Sequence, residues 1–254
     1  MSRSQSNLWF EFGSGKSSDS DKGVLIMDPF SETTPSLRGS QMEAAGRDGY
    51  VWVSDDSYKP ISQKIRCRCR NSKKRAVMAW LRGNGHFRNS QYSDAQFDAR
   101  IIKEIDFEQI TPDSDPLLEF TVEILLQPHP YVYPASAAVT VDTSGAAVNN
   151  AGTYIALPKV VIVGSGDFSV TIGQGSSAKT MYFHDVPSGG VIVDSLLQDT
   201  LDSTGANLMT DKVSGEYFEL APGTNTVQWL TPTADDEKSG TVSSVTITRR
   251  ERWF

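Results

Sequence analysis

Between Pro116 and Pro134 the sequence leaves the backbone few options. Leu118, Phe120, Val122 and Ile124 alternate with Glu119, Thr121 and Glu123. Residues two apart share a face of a pleated strand, so this alternation predicts a strand half in a core and half in water. Pro128, Pro130 and Pro134 follow. Each removes an amide donor and turns its predecessor away from helix, so the run is stiff, extended and unable to sit inside a sheet. The stretch reads as the last strand of one domain passing into a semi-rigid connector. The expected organisation is two mainly β domains, residues 1–131 and 132–254.

A chain of 254 residues allows two ordinary domains, each burying its own core. Its hydrophobic fraction, 38%, suits a β-rich chain with many polar turns. No run approaches the roughly 18 apolar residues of a membrane helix. Met1-Ser-Arg-Ser-Gln-Ser lacks the apolar centre of a secretory signal. The expectation is a protein made in a cytoplasm, with no membrane partner.

The formal charge of −7 is unevenly spread. From Ser57 to Ser93 there is no acidic residue, while Lys59, Lys64, Arg66, Arg68, Arg70, Lys73, Lys74, Arg75, Arg82 and Arg88 all fall there. The half after Pro134 is acidic. Such segregation points either to contact between copies or with a partner of opposite field, or to a solvated basic face. Within this window, Ile65, Cys67 and Cys69 alternate with Arg66, Arg68 and Arg70. Two cysteines this close in a strand cannot form a good disulfide. Two thiols without further ligands make a poor zinc site. The cysteines are therefore expected to face a core as small apolar residues, with three arginines projecting on the other side.

The front half carries further signals. Leu8–Phe12 and Val24–Met27 read as strands flanking a polar, glycine-rich hairpin loop. Gly15-Lys16-Ser17 resembles the end of a phosphate-binding loop, but Phe10 stands where the motif needs its first glycine and a strand follows instead of a helix. Asp28 to Tyr58 is long and polar with an apolar patch at Tyr50–Val53, which suits either an arm ordered against a neighbouring subunit or a surface excursion. Lys73–Arg82 is the one clear helix, with Ser72 as N-cap, Val77, Trp80 and Leu81 on one face, and Gly83 at its end. Its basic first turn opposes the helix dipole. A further strand is expected through Ile101, Lys103, Ile105 and Phe107, with a turn at Thr111–Pro116 pairing it antiparallel to the strand of the opening stretch. Asp113 and Asp115 lack the glycine and distal glutamate of a calcium loop and read as turn residues.

After Pro134 come short β-branched runs parted by Gly, Asn, Asp and Ser: 138–141, 159–163, 168–172, 180–183, 190–194, 217–220, 226–230 and 242–248. Even spacing without helical period predicts an antiparallel sandwich. Catalytic signatures are missing. His86, His129 and His184 have neither metal-site spacing nor a neighbouring nucleophile motif. The sequence is read as non-enzymatic, with no cofactor and no metal.

Several back-half segments occur in a telling order: Asn149–Gly152, Pro158–Val170, Asp194, Asp202–Asn207, Gly215–Asn225 and Val245–Arg249. With them the back half resembles the distal tail proteins of long-tailed, non-contractile bacteriophages. The front half fits through its glycine-rich hairpin, long excursion, single helix and Asp94-x-x-Phe97-Asp98-Ala99-Arg100. The resemblance implies a front β-sandwich or barrel-like domain with one short helix and a long arm, and a galectin-like back β-sandwich. It implies a hexameric ring of front domains around the tail channel, linking the tail tube protein to tip and receptor-binding proteins or fibres, with DNA only as passing cargo. It implies a place at the distal end of the virion tail after assembly in the host cytoplasm. Asp28–Tyr58 would be the arm that embraces the next subunit, and Pro128–Pro134 the domain junction.

The candidate interface residues are Arg38, Met42, Arg47, Tyr50 and Trp52 in the arm and Arg66, Arg68 and Arg70 on the basic strand. A carbohydrate-binding module is the alternative, with Trp229 or Tyr182 stacking on host glycans; Trp229 sits in an alternating strand and is expected in the core. Nucleic-acid binding through the three arginines is a third possibility, opposed by the net negative charge.

Overall fold

A computed structural model describes residues 8–31, 33–43, 45–46, 48–208, 212–231 and 240–254. The chain forms two compact units, residues 1–130 and 131–254.

The first unit contains β1 (Phe10–Phe12), β2 (Gly15–Lys16), β3 (Leu25–Ile26), β4 (Leu37–Met42), β5 (Val51–Tyr58), β6 (Ile61–Arg70), α1 (Lys74–Trp80), β7 (Asn84–Asn89), β8 (Ala95–Ile101), β9 (Glu108–Gln109) and β10 (Leu117–Leu126). The main sheet runs β2-β1-β7-β8-β10-β6-β3, with β9 also on β10. Its backbone is the pair β10–β6, antiparallel from Leu117↔Arg70 to Leu126↔Ile61. That register stacks Leu118 on Cys69, Phe120 on Cys67 and Val122 on Ile65 on the buried face. Burying each large apolar side chain contributes about 1.5–3 kcal/mol, so this face fixes the register. The cysteines behave as the alternation requires: both are buried and free. Burial pushes the Cys67 thiol far up and the Cys69 thiol up to about 11.

Three local expectations change. β1 and β3 do not form one hairpin but lie near opposite ends of the strand order. Ser17 joins them: its amide donates to Phe10 O (2.8 Å) and its carbonyl accepts from Val24 N (2.9 Å), so the sheet curls like a half-barrel. The strand expected through Phe107 stops at Ile101. Beyond it Ile105 and Phe107 still pack on the core, while Ile102 is exposed. The helix is shorter and is preceded by a 3-10 turn at Asn71–Lys73, and Ser72 makes no cap. Instead Ser72 N (2.8 Å) and Oγ (2.9 Å) donate to the carboxylate of Asp115. These bonds hold the Asp115 carboxyl below its usual range. A distant acid thus stands near the helix start that its own basic first turn disfavours.

The second unit contains β11 (Tyr131–Val132), β12 (Val139–Val141), β13 (Ala146–Asn150), β14 (Lys159–Gly173), β15 (Lys179–Val186), β16 (Val191–Asp194), β17 (Asp199–Asp202), β18 (Val213–Gly215), β19 (Gly223–Leu230) and β20 (Thr241–Thr248). It is an antiparallel sandwich in which one strand serves both layers. The runs 159–163 and 168–172, read from sequence as separate strands, are the two halves of β14. The first half pairs with β20 and β16; the second pairs with β15 and β19. Register shifts at Val163/Gly164 and Gly166/Phe168 bend the strand. Gly166 takes φ +74°, which glycine adopts without penalty. A Cβ on Gly164 would stand 2.3 Å from Thr241 O. Val160, Ile162, Val170, Ile172, Phe183 and Ile247 fill the core at 0% exposure. The strand expected at 217–220 is absent; Phe218 and Leu220 are core residues on an irregular segment, and Leu220 bridges to Ala156. β11, β13, β17 and β18 have no counterpart among the sequence-based expectations.

Candidate protein-protein interface

β4 and β5 form a two-stranded sheet of their own. Pairing runs Met42↔Val51, Gln41↔Trp52, Ser40↔Val53 and Gly39↔Ser54, then shifts before Leu37↔Tyr58. The shift is a bulge held by side chains. Ser54 Oγ donates to Arg38 O (2.7 Å) and accepts from Asp56 N (3.0 Å), and Asp56 takes φ +58°. Asp55 Oδ1 accepts from Ser57 Oγ (2.6 Å) and Ser57 N (3.1 Å), which with Arg38 nearby holds the Asp55 carboxyl low. Trp52 lies across Gly39; a Cβ there would sit 2.7 Å from the indole. At the foot of the hairpin Tyr58 packs edge-on to His129 at 5.2 Å.

Cross-strand partners share a face, so the exposed apolar side chains of the arm divide between two faces. Met42, Val51 and Val53 lie on one, and Trp52 lies on the other beside Gly39. Met42 is 57% exposed, Tyr50 60%, Trp52 46% and Val53 49%. A two-stranded sheet with solvent on both faces is at best marginally stable alone. Contiguous exposed apolar side chains on such an element mark a surface made to be covered. Arg38 is exposed at the base beside Asp55; Arg47 lies outside the described residues. Val51 and Val53 stood in the apolar patch at Tyr50–Val53 but were not among the candidate contacts. The signal was their alternation with Trp52, which hid because β4, Leu-Arg-Gly-Ser-Gln-Met, has almost no strand character of its own.

The arginines of β6 are not a bare cationic row. Arg66 pairs with Asp28 (3.0 Å), Arg68 with Glu119 (2.7 Å), and Arg70 donates to Asp115 O (3.0 Å) with Asp113 at 3.8 Å. The β6 part of the acid-free window is therefore largely neutralised by acids from β10 and its preceding turn, and from Asp28. All three pairs remain partly exposed, so each contributes little stability by itself. The structure leaves the basic surface concentrated elsewhere, on α1.

One other sequence motif resolves as architecture. At Gly15, a Cβ would lie 2.5 Å from Trp80 Nε1, which donates to Phe12 O (2.7 Å). Ser17 is fully buried and its Oγ accepts from Phe10 N (3.0 Å). Gly15-Lys16-Ser17 thus makes room for Trp80 and closes the sheet. Among the described residues, no group of three or more His, Cys, Asp or Glu is placed to hold a metal ion. In the second unit an open cleft of about 330 Å³ is lined by Ser144, Gly145, Thr171, Gln228, Trp229 and Leu230. Trp229 is partly buried against the core and Tyr182 is 50% exposed. Ser144 Oγ is bonded to Trp229 N (2.9 Å) and O (3.2 Å), and Thr171 Oγ1 to Thr180 Oγ1 (2.9 Å).

No protein-family model and no curated protein matches the chain. Among solved structures it is similar to the crystal structure of the SPP1 Dit protein (gp 19.1), described as a paradigm of the hub adsorption apparatus in phages infecting Gram-positive hosts. The TM-score is 0.68 at 14% identity, over 97% of this chain and 99% of that one. The likeness shows that the chain has the Dit fold over nearly its whole length.

Proposed function

We propose that this protein is a phage tail hub component that works by self-association. Its front unit forms a ring, hexameric as in the resemblance drawn from sequence. The ring joins the tail tube to tip and receptor-binding proteins and leaves a channel for DNA. It sits at the distal end of the virion tail after assembly in the host cytoplasm. The carrying observation is the arm: a β-hairpin whose strands, among the described residues, pair only with each other, and which exposes Met42, Val51, Trp52 and Val53. A closed ring needs each copy to present two different surfaces, and an arm reaching to a neighbour supplies one of them. Arg38, Met42, Tyr50 and Trp52 are the proposed contacts, with Arg47, which lies outside the described residues. Arg66, Arg68 and Arg70 retain exposed edges for docking, although their charge is largely met within the chain. The function assigned is geometric and involves no catalysed step.

A sugar site at the Trp229 cleft is less well supported, because the Ser144 and Thr171 hydroxyls beside it already have partners within the unit. Light scattering over a concentration series tests the ring reading. A mass that rises to a closed oligomer supports it; a single-chain mass at every concentration, at low and moderate salt, refutes it.

A further inference from the structure

One face of α1 is left without a use in the fold. Val77 and Leu81 pack inward, and Trp80 stacks on Phe10 at 5.1 Å. Arg75, Met78 and Ala79 face solvent on the other side, and exposed Arg82 follows at the helix end. Met78 is 51% exposed. The acids close by are already engaged: Asp115 by Ser72, and Asp113 beside Arg70. Among the described residues no carboxylate pairs with Arg75 or Arg82. Arg75, in the first turn, opposes the helix dipole and is carried at a local cost, whereas Arg82 lies past the helix end, where a cation is favoured. The result is a small apolar centre between two unpaired guanidinium groups.

The arm has the opposite pattern. Its Met42, Val51 and Val53 face is apolar, and exposed Glu43 and Asp48 lie at the tip with exposed Asp55 and Asp56 near the base. Arg38, its described cation, is next to Asp55. Among the described residues β4 and β5 pair only with each other.

We infer that the outer face of α1 is the receiving surface for the arm of a second copy. This rests on the self-association reading above and adds the surface that receives the arm. Met78 fills the apolar seam, since an unbranched thioether adapts to an irregular partner. Arg75 and Arg82 meet the arm's carboxylates at the rim, where charges fix register and speed encounter more than they add affinity.

The test uses the full chain with a benzoylphenylalanine photocrosslinker at Val53. After irradiation, tryptic peptides are mapped by mass spectrometry. The expected product joins the arm of one copy to the peptide 76–82 of another. Arg75→Glu with Arg82→Glu, in which the same segment is read on the tryptic peptide 75–88, should lower the yield of the crosslink between the arm and α1 about tenfold, and adding Glu43→Lys with Asp48→Lys should restore it. Crosslinks between copies that land elsewhere overturn this inference and leave the self-association reading standing. No crosslink between copies, together with a single-chain mass, overturns both. An unchanged yield in the double charge reversal removes the role given to the arginines.

Discussion

Trp52→Ser separates a residue that builds the monomer from one that builds the assembly. The indole is 46% exposed and lies on Gly39 within the arm. A tryptophan side chain offers up to roughly 250 Å², so about 115 Å² remains for a partner to cover. At about 25 cal/mol per Å² that area is worth roughly 3 kcal/mol, or about 2 kcal/mol with incomplete cover. Each copy gives one arm to one neighbour, so every interface loses that amount. The dissociation concentration should rise about 30-fold. The main sheet does not use Trp52, so the melting temperature of the dissociated chain should stay within about 2 °C of the parent. The assay is light scattering on a dilution series, with thermal unfolding measured on the dilute sample. An unchanged dissociation concentration would refute the interface assignment. A fall of many degrees in melting temperature would show that Trp52 belongs to the fold.

Other outcomes follow from the same geometry. Gly15→Ala should destabilise the first unit by about 1–3 kcal/mol in urea unfolding, because the added Cβ meets the Trp80 indole. Asp194 accepts two bonds from Arg250 (2.5 and 2.8 Å) and the amides of Leu196 and Leu197. Its carboxyl is held below the usual range, chiefly by the Arg250 bonds. That stability is present above the unfolded carboxylate value of about 3.9 and is lost as pH falls through the lower folded value. Asp194→Asn should cost about 2 kcal/mol near neutral pH and flatten the acid limb of the stability curve, read by chemical unfolding from pH 7 to 2.5. Cys67 and Cys69 should resist alkylation by iodoacetamide at pH 8 in the folded chain and react fully in denaturant, read by mass spectrometry; fast labelling of the native chain would contradict their burial.

What the sequence made legible was periodicity. The alternation in 117–126 and 61–70 pointed to two half-buried strands, and the structure pairs them residue for residue. The β-rich back half and the single helix were legible for the same reason. Pairing between distant segments was not. Nothing local says that β1 joins β7 and β3 joins β6, because those choices are made by curvature and by the buried hydroxyl of Ser17. Asp115 reaches the helix start across the sequence, so Ser72 was misread as a cap. The acid-free window misled in a related way. Charge counts along a chain ignore the neighbouring strand, where Glu119 and Glu123 stand opposite Arg68 and Lys64. The arm was visible as an anomaly of length and polarity; its hairpin was not, because β4 is polar and contains Gly39, which is there to seat Trp52.

Self-association into a ring is the property on which the proposed hub role depends. Class averages of the negatively stained protein, taken at a concentration where light scattering gives a constant mass, measure this most directly. The proposal predicts a closed ring with sixfold symmetry and an open centre. Isolated single chains, or an open-ended filament with no closed symmetry, would contradict it.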